Sequence, residues 1–278
     1  MQSDLLKNRF RNFSSEIICT LALIFCAFIG MQFTGRLVLQ ICLTTFAALI
    51  FSFASYFLKV NPSVIARSIC FSTAFWVIFA VVAQMIIKNT FFIFSSPWRY
   101  MFYYDRIGMI FIVIIVITVF QRINAFLKKD LITAICYQKF YSTVSVLFTV
   151  FYLVVLIYCF FICRTPGTTN VPPNFVPFTA FKYAFFESGF DYETMILFFG
   201  NIAIFIPLGY ILYNWFKKGN KKIIFFVLPL FLSSAIEISQ YYLGMGFADI
   251  DDVILNVIGF WLGGFLKFCF DKFLPIKD

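Results

Sequence analysis

Long apolar runs are the feature that most restricts the fold of this chain. Eight stretches of the 278 residues are mostly apolar, and about 20 such residues cross a bilayer as a helix. A membrane β-barrel would instead show short segments of alternating polarity. A water-soluble domain of this length would not be 62% hydrophobic and only 13% charged. The runs therefore predict an all-α, polytopic membrane helix bundle.

The positions of the runs predict about eight transmembrane helices. The predicted spans are about 16–35, 37–58, 64–87, 106–121, 141–163, 194–216, 222–243 and 252–270. The first run follows Lys7, Arg9 and Arg11, as a signal peptide would. It has no clear small-residue cleavage site and leads straight into a second span, so we expect it to be retained as a helix.

Basic residues are unevenly distributed across this predicted topology. With the N-terminus inside, 16 of the 22 lysines and arginines fall in inner segments and 6 in outer segments. The asymmetry follows the positive-inside rule and predicts that both termini are cytoplasmic. It also accounts for most of the net charge of +9. Because no nucleic-acid-binding motif is present, we expect no nucleic-acid partner.

Polar side chains divide the chain into two regions. Residues 1–140 hold four predicted spans without recognisable chemistry, and a basic amphipathic segment at 122–140 is expected to lie on the anionic inner leaflet. In residues 141–278, polar side chains lie inside or beside the spans, where they are costly and tend to be functional. We therefore predict a four-helix region of unknown role at 1–140 and a second transmembrane domain at 141–278.

Seven polar residues of the second region are expected at one depth, in the outer third of the membrane. They are Arg164, Asn174, Asn201, Glu237, Gln240, Asp252 and Asn256. Ser233, Glu237 and Gln240 recur at helical spacing and therefore share one helix face. Because buried polar groups require partners, we expect the seven to contact one another or to line one cavity.

The last predicted span carries small residues on the same face as its asparagine. Asn256, Gly259 and Gly263 recur at helical spacing, and glycines let a neighbouring helix approach closely. We expect this face to pair with the seventh span.

Four motifs of the second region, in their order and spacing, resemble the VanZ-like family over about residues 140–270. They are R…NFVPF, NIAIFIPLG, SxxIExxQ and DIDDVILNVIGxxLG. The family is named for a protein associated with low-level resistance to the glycopeptide teicoplanin. The resemblance implies a multi-pass protein of the cell membrane. The positions that it implies as functional are Arg164, Asn174, Pro177, Asn201, Pro207, Glu237, Gln240, Asp249, Asp252 and Asn256.

This chain departs from the family at one place. Members commonly have an arginine just before the acidic motif, where Met245 and Gly246 stand here. If that arginine binds a phosphate or an acid, this chain lacks the contact, and Arg164 is the candidate to compensate for it.

The residues are compatible with a binding function or a structural one. In the binding hypothesis a pocket open to the outer leaflet holds a lipid head group or a lipid-linked cell-wall precursor, with a link to glycopeptide resistance. Its predicted ligand-binding residues are Arg164, Asn174, Asn201, Gln240 and Asn256. In the structural hypothesis the same side chains only join helices of a bundle.

An enzymatic function is the third alternative. It would modify phospholipid or polyprenyl-phosphate head groups, with Glu237 as general base, Asp252 as a second catalytic residue and Arg164 stabilising phosphoryl charge. A divalent cation is the one cofactor that the acids suggest. Its predicted ligands are Asp249, Asp251 and Asp252. The chain has no histidine, so the commonest acid–base group is absent.

Overall fold

The protein is all-helical in the residues that its structure, a computed structural model, describes. These are residues 2–31, 37–89, 98–157, 160–161, 172–187, 192–217, 219, 221–244 and 248–276. The helices are α1 Gln2–Met31, α2 Leu37–Phe57, α3 Pro62–Asn89, α4 Trp98–Lys128, α5 Leu131–Ile157, α6 Thr179–Lys182, α7 Tyr192–Phe216, α8 Lys221–Tyr242 and α9 Ile250–Phe273. A π-helical turn, Tyr183–Glu187, follows α6.

The eight long helices occur where the eight spans are predicted. Within the described residues, six are long and apolar enough to cross a membrane: parts of α2, α4, α5, α7, α8 and α9. In α1 and α3 the described apolar stretches, Ser14–Ile29 and Pro62–Ile78, are shorter. The all-α membrane bundle predicted from the apolar runs is confirmed.

The segment predicted to lie on the inner leaflet has a different structure. Helix α4 continues to Lys128, seven residues past its predicted end, and α5 begins at Leu131, ten residues before its predicted start. The helices join at Lys129, which has a positive φ of 51°, and at Asp130. The Asp130 carboxylate caps α5 by accepting bonds of 2.7 Å from the backbone N–H and the hydroxyl of Thr133. Residues 122–140 are therefore two helix ends and a tight turn.

The chain divides into two compact units. The first comprises residues 1–148 with 276–278, and the second comprises residues 149–275. In the first unit, α1 packs against α2, α3 and α4, and α2 packs against α4. Glu16 of α1 forms an ion pair with Arg67 of α3, and the Ser68 hydroxyl donates to the Glu16 carbonyl at 3.2 Å.

The second unit is built around close packing of α7 on α9. A Cβ atom at Gly259 would lie 2.0 Å from the Ile202 carbonyl oxygen, and one at Gly263 would lie 2.0 Å from that of Ile206. The predicted glycine face is therefore a close-approach face. Its partner is α7, the sixth predicted span, and the expected pairing with the seventh span is wrong for these glycines.

Helix α8 packs against both α7 and α9 and completes this unit. Phe160, Phe205, Phe225 and Phe260 form its aromatic core. The Tyr152 hydroxyl of α5 donates to the Ile204 carbonyl of α7 at 2.7 Å. Helix α7 continues through Pro207, and α8 continues through Pro229.

Candidate functional site

A short backbone bridge joins the segment before α6 to the start of α9. The Asn174 N–H donates to the Ala248 carbonyl at 2.9 Å, and the Ile250 N–H donates to the Asn174 carbonyl at 3.0 Å. Asn174 and Asp249 thereby form an isolated parallel β-bridge. Proline cannot donate a backbone hydrogen bond, and Pro172 and Pro173 directly precede Asn174. The bridge holds this stiff segment against the N-terminus of α9.

Asp249 caps α9 and also binds Asn174. Its Oδ1 accepts from the Asp251 N–H at 2.9 Å and from Asn174 Nδ2 at 3.0 Å. Burial raises the pKa of Asp249 above its ordinary value, and the nearby Asp251 carboxylate raises it further. Asn174 Nδ2 also donates to the Thr179 hydroxyl at 2.7 Å. We call Asn174, Thr179, Asp249 and Asp251 the capping cluster.

The Asp251 carboxylate accepts three hydrogen bonds from the segment at the start of α6. Its Oδ1 accepts from the Phe178 N–H at 2.6 Å. Its Oδ2 accepts from the Ala180 N–H at 2.6 Å and from the Thr179 hydroxyl at 2.8 Å. Phe178 has a left-handed backbone with φ 68°, which is costly for a bulky residue. The carboxylate of Asp251 therefore caps α6 from another helix and holds a strained turn in place.

Asp252, the next residue along α9, points to a different helix. Its Oδ1 accepts a hydrogen bond from Asn201 Nδ2 at 2.5 Å. Asn201 lies on α7, so this bond adds a polar contact to the glycine-mediated packing of α7 on α9. The structure thus brings together two residues that the sequence placed at one depth.

Helix α8 presents a row of polar side chains to the interior of the unit. Ser233, Glu237 and Gln240 are 0%, 3% and 0% exposed. Glu237 Oε2 accepts a hydrogen bond of 3.3 Å from the Asp249 N–H, so this carboxylate touches the capping cluster. With Asn256 of α9, which is 1% exposed, these three residues form what we call the buried polar face.

Among the described residues, the two amide groups of the buried polar face are hydrogen-bonded through their nitrogen atoms only. Gln240 Nε2 donates to the Phe160 carbonyl at 3.1 Å, and Asn256 Nδ2 donates to the Ser233 hydroxyl at 2.8 Å. Among the described residues, Gln240 Oε1 and Asn256 Oδ1 have no hydrogen-bond partner. Burying a polar atom without a partner costs about 1–3 kcal/mol. Within the described part of the chain, the face therefore carries two amide oxygens without a hydrogen-bond partner.

The helices that carry these residues lie in a part of the chain that matches a protein-family model. Residues 145–270 match the family model described as VanZ/LLP1. This part of the chain is a VanZ-like domain. The match contains the capping cluster and the buried polar face and excludes α1–α4. No curated protein and no solved structure matches the chain.

The aspartates of the VanZ-like domain do not form the predicted cation site. Asp251 accepts backbone and hydroxyl hydrogen bonds through both oxygens, Asp249 binds its own helix and Asn174, and Asp252 binds Asn201. Within the described part of the chain, no three histidine, cysteine or acidic residues are arranged to hold a metal ion. The carboxylates diverge because helix capping turns successive residues toward different partners. The prediction that Asp249, Asp251 and Asp252 together bind one cation is therefore wrong for the described structure.

The other predicted site residues fall into three linked groups. Asn174 lies in the capping cluster, Asn201 is bonded to Asp252, and Glu237, Gln240 and Asn256 lie in the buried polar face. Arg164, Met245 and Gly246 lie outside the described residues. Ser233 and Thr179 were not predicted as site residues. Ser233 was detectable by its helical spacing to Glu237, whereas no sequence signal pairs Thr179 with an aspartate 72 residues later.

Proposed function

We propose that the VanZ-like domain binds the polar head group of an envelope lipid or a lipid-linked cell-wall precursor at the outer leaflet of the cell membrane. The observation that carries the proposal is the buried polar face. Four polar side chains, none more than 3% exposed, lie together within an apolar membrane bundle. Polar groups inside membrane segments are expensive and commonly mark ligand or substrate sites.

The buried polar face differs from a set of side chains that only joins helices. Groups that serve packing alone are stabilised by satisfying one another, as Asp251 does with three donors in the capping cluster. In the buried polar face, Gln240 and Asn256 each keep a carbonyl oxygen without a partner among the described residues. Because they are grouped with the buried Ser233 and Glu237, whereas Gln40 in the first unit carries such an oxygen singly, these oxygens favour a site that a ligand completes.

The resemblance to a teicoplanin-associated family supports the choice of ligand. Glycopeptides of this kind bind cell-wall precursors, so a membrane domain that binds a lipid-linked precursor would alter sensitivity to them. We include altered glycopeptide sensitivity in the proposal. Arg164, predicted to bind polar oxygens of the head group, keeps that role as a proposal.

The lipids that remain bound to the purified protein test this function. We expect one head-group class to be enriched over the bulk membrane when extracted lipids are measured by mass spectrometry. The enrichment should disappear in Ser233→Ala/Asn256→Leu, a double variant in which both partners of one hydrogen bond become apolar, so that the fold is little affected.

A matched control lies in the first unit. Gln40 is an amide that is 1% exposed, and its Oε1 has no partner among the described residues. Gln40→Leu should keep the lipid enrichment, because it lies outside the VanZ-like domain. A lipid composition equal to that of the bulk membrane in the wild-type protein would overturn the proposal.

A further inference from the structure

We infer that the buried polar face selects head groups that donate hydrogen bonds, namely ammonium or hydroxyl groups, and disfavours contact with phosphate. The inference rests on the proposed function and narrows its ligand. It follows from which atoms of the face are already bonded and which are not.

The nitrogen atoms of the amides are already engaged by the protein. Gln240 Nε2 donates to Phe160, Asn256 Nδ2 donates to Ser233, and Asn201 Nδ2 of α7 donates to Asp252. The atoms without a partner among the described residues are acceptors, Gln240 Oε1 and Asn256 Oδ1. A ligand satisfies an acceptor only by supplying a donor.

The hydrogen-bond partner of Gln240 determines which end of its amide is the nitrogen and which is the oxygen. Its partner is the backbone carbonyl of Phe160, which accepts hydrogen bonds and cannot donate them. The nitrogen of the amide must therefore face Phe160, and the oxygen must be the end that remains. Asn256 faces the Ser233 hydroxyl, which can accept or donate, so this contact does not fix the orientation of the Asn256 amide. The inference therefore rests mainly on Gln240.

The charges around the face also oppose an anion. Glu237 belongs to the face, and Asp249 and Asp252 lie on the adjoining end of α9. In the described segment 172–187, the basic side chain Lys182 is exposed and pairs with Glu187 at 2.8 Å. Among the described residues a phosphate at the face would lie beside carboxylates, whereas an ammonium group or a sugar hydroxyl would supply the donor that Gln240 Oε1 and Asn256 Oδ1 lack.

Two kinds of lipid carry such donors. An ethanolamine lipid has an ammonium group with three N–H bonds, and a glycolipid or lipid-linked sugar has several hydroxyls. Both oxygens are covered in the structure, so a donor reaches them only when the surrounding helices part. Enclosed donors form stronger hydrogen bonds than donors exposed to water.

Defined lipids added to the purified full-length protein test the inference. We would titrate it with phosphatidylethanolamine, phosphatidylcholine, a diglucosyl diacylglycerol and phosphatidic acid, and measure binding by native mass spectrometry. Phosphatidylcholine is the matched control, since it keeps the phosphate and the positive charge but has no N–H donor. We expect phosphatidylethanolamine, the glycolipid or both to bind about tenfold more tightly than phosphatidylcholine, as expected for one hydrogen bond.

Gln240→Met should remove this preference by lowering donor-lipid affinity to the phosphatidylcholine level, and Gln40→Met should retain it. Tight binding of phosphatidylethanolamine alone would identify an ammonium group, and tight binding of the glycolipid alone would identify hydroxyls; each supports the inference.

Three results would count against these proposals in different ways. Saturable binding with equal affinity for phosphatidylethanolamine, the glycolipid and phosphatidylcholine would overturn donor recognition but leave head-group binding intact. The same conclusion follows if phosphatidic acid binds most tightly. No saturable binding of any lipid would overturn the proposed function itself. If Gln240→Met does not fold, the wild-type comparison of donor and donor-free lipids still decides the question.

Discussion

At the residue scale, two neighbouring aspartates use their oxygens differently. Among the described residues, Asp249 accepts two side-chain hydrogen bonds, both through Oδ1. Asp251 accepts through both oxygens, from Phe178 on one side and from Thr179 and Ala180 on the other. An asparagine keeps one carbonyl oxygen and replaces the other with a donor. The same substitution should therefore have different effects at the two positions.

Asp251→Asn should destabilise the segment before α7. Its new NH₂ group would face an N–H donor, and losing a buried acceptor costs about 1–3 kcal/mol. We expect faster amide hydrogen exchange across residues 172–187. Asp249→Asn is the control, because asparagine is also a good helix cap and its Oδ1 can accept the same bonds. Equal exchange in the two variants would show that Asp251 does not hold this segment.

The raised pKa of Asp249 makes a pH-dependent prediction. An acid whose pKa is higher in the folded protein than its ordinary value of 3.8 contributes stability below that value, and loses it as pH rises through the folded pKa. The thermal stability of wild type relative to Asp249→Asn should therefore increase on going from about pH 7 to about pH 4.

Asp130 provides a control of opposite sign for that experiment. The hydroxyl and backbone N–H of Thr133 lower the pKa of Asp130, so its contribution is present at neutral pH and is lost as pH falls through the lowered pKa. When the same comparison is continued below about pH 4, wild type should thus lose stability relative to Asp130→Asn. A shift of the same sign for both variants would contradict the assignment.

Glu237 is the ionisable residue of the buried polar face and the one through which function is best tested. Glu237→Gln keeps the length of the side chain and an oxygen that can accept from the Asp249 N–H. We therefore expect a folded variant at near-normal abundance that has lost lipid enrichment and any effect on glycopeptide sensitivity. Membrane abundance, thermal unfolding and drug sensitivity would be measured together. A stable variant with wild-type function would show that the buried polar face only joins helices.

At the element scale, the packing of α7 on α9 is set by glycines that leave no room for side chains. A Cβ atom at Gly263 would meet backbone atoms of Ile206 and Tyr210, whereas one at Gly264 would meet the ring end of Phe225 at 2.3 Å. Backbone atoms of a packed helix cannot move aside singly, but an aromatic ring can rotate. Two adjacent glycines should therefore tolerate substitution unequally.

Gly263→Ala should lower the stability of the protein more than Gly264→Ala. Overpacking of a tight contact typically costs about 1–3 kcal/mol, and at Gly263 the two helices must separate to accept the methyl group. Thermal unfolding in detergent compares the two variants directly. A larger loss at Gly264 would mean that α8 and its Phe225 ring, and not α7, restrict the approach to α9.

The helices were predictable from the sequence, but several of their ends and contacts were not. Apolar runs locate membrane helices because each run must cover the bilayer thickness. The α4–α5 turn was not predicted, because the basic amphipathic residues on either side of it are typical of a segment on the membrane surface. Arg122 is one of these residues, yet it is buried in the structure. The partner of Gly263 was assigned to the wrong helix, since a small-residue face predicts a close neighbour but does not say which one.

At the scale of the whole molecule, the sequence indicated which polar residues lie near one another, but it did not indicate their chemistry. Asn201 and Asp252, which the sequence predicts at one depth, do come together. The cation site failed because a string of acids at a helix start is equally suited to capping, and Asp251 caps a segment distant in sequence. Such long-range backbone contacts leave no spacing in the sequence from which to predict them.

The backbone bridge between Asn174 and Asp249, taken together with the positions of the lysines, predicts the orientation of the VanZ-like domain in the membrane. Asn174 precedes α7 and is bridged to Asp249, which precedes α9, so α7 and α8 cross the membrane and return between two points on the same side. The basic residues Lys217, Lys221, Lys222, Lys267 and Lys272 lie at the opposite ends of α7, α8 and α9. The positive-inside rule predicts that those ends are cytoplasmic and therefore predicts that the capping cluster lies outside.

Cysteine labelling tests this orientation. In a cysteine-free background, Phe175→Cys should react with a membrane-impermeant thiol reagent added to intact cells, because Phe175 is 73% exposed beside the bridge. Lys221→Cys, at the exposed start of α8, should react only after the cells are permeabilised. Since the single span of α7 separates the two positions, they must differ in accessibility whichever way the domain is inserted. Labelling of Lys221→Cys with protection of Phe175→Cys would invert the domain and place the buried polar face toward the inner leaflet, where it would meet a different set of lipids.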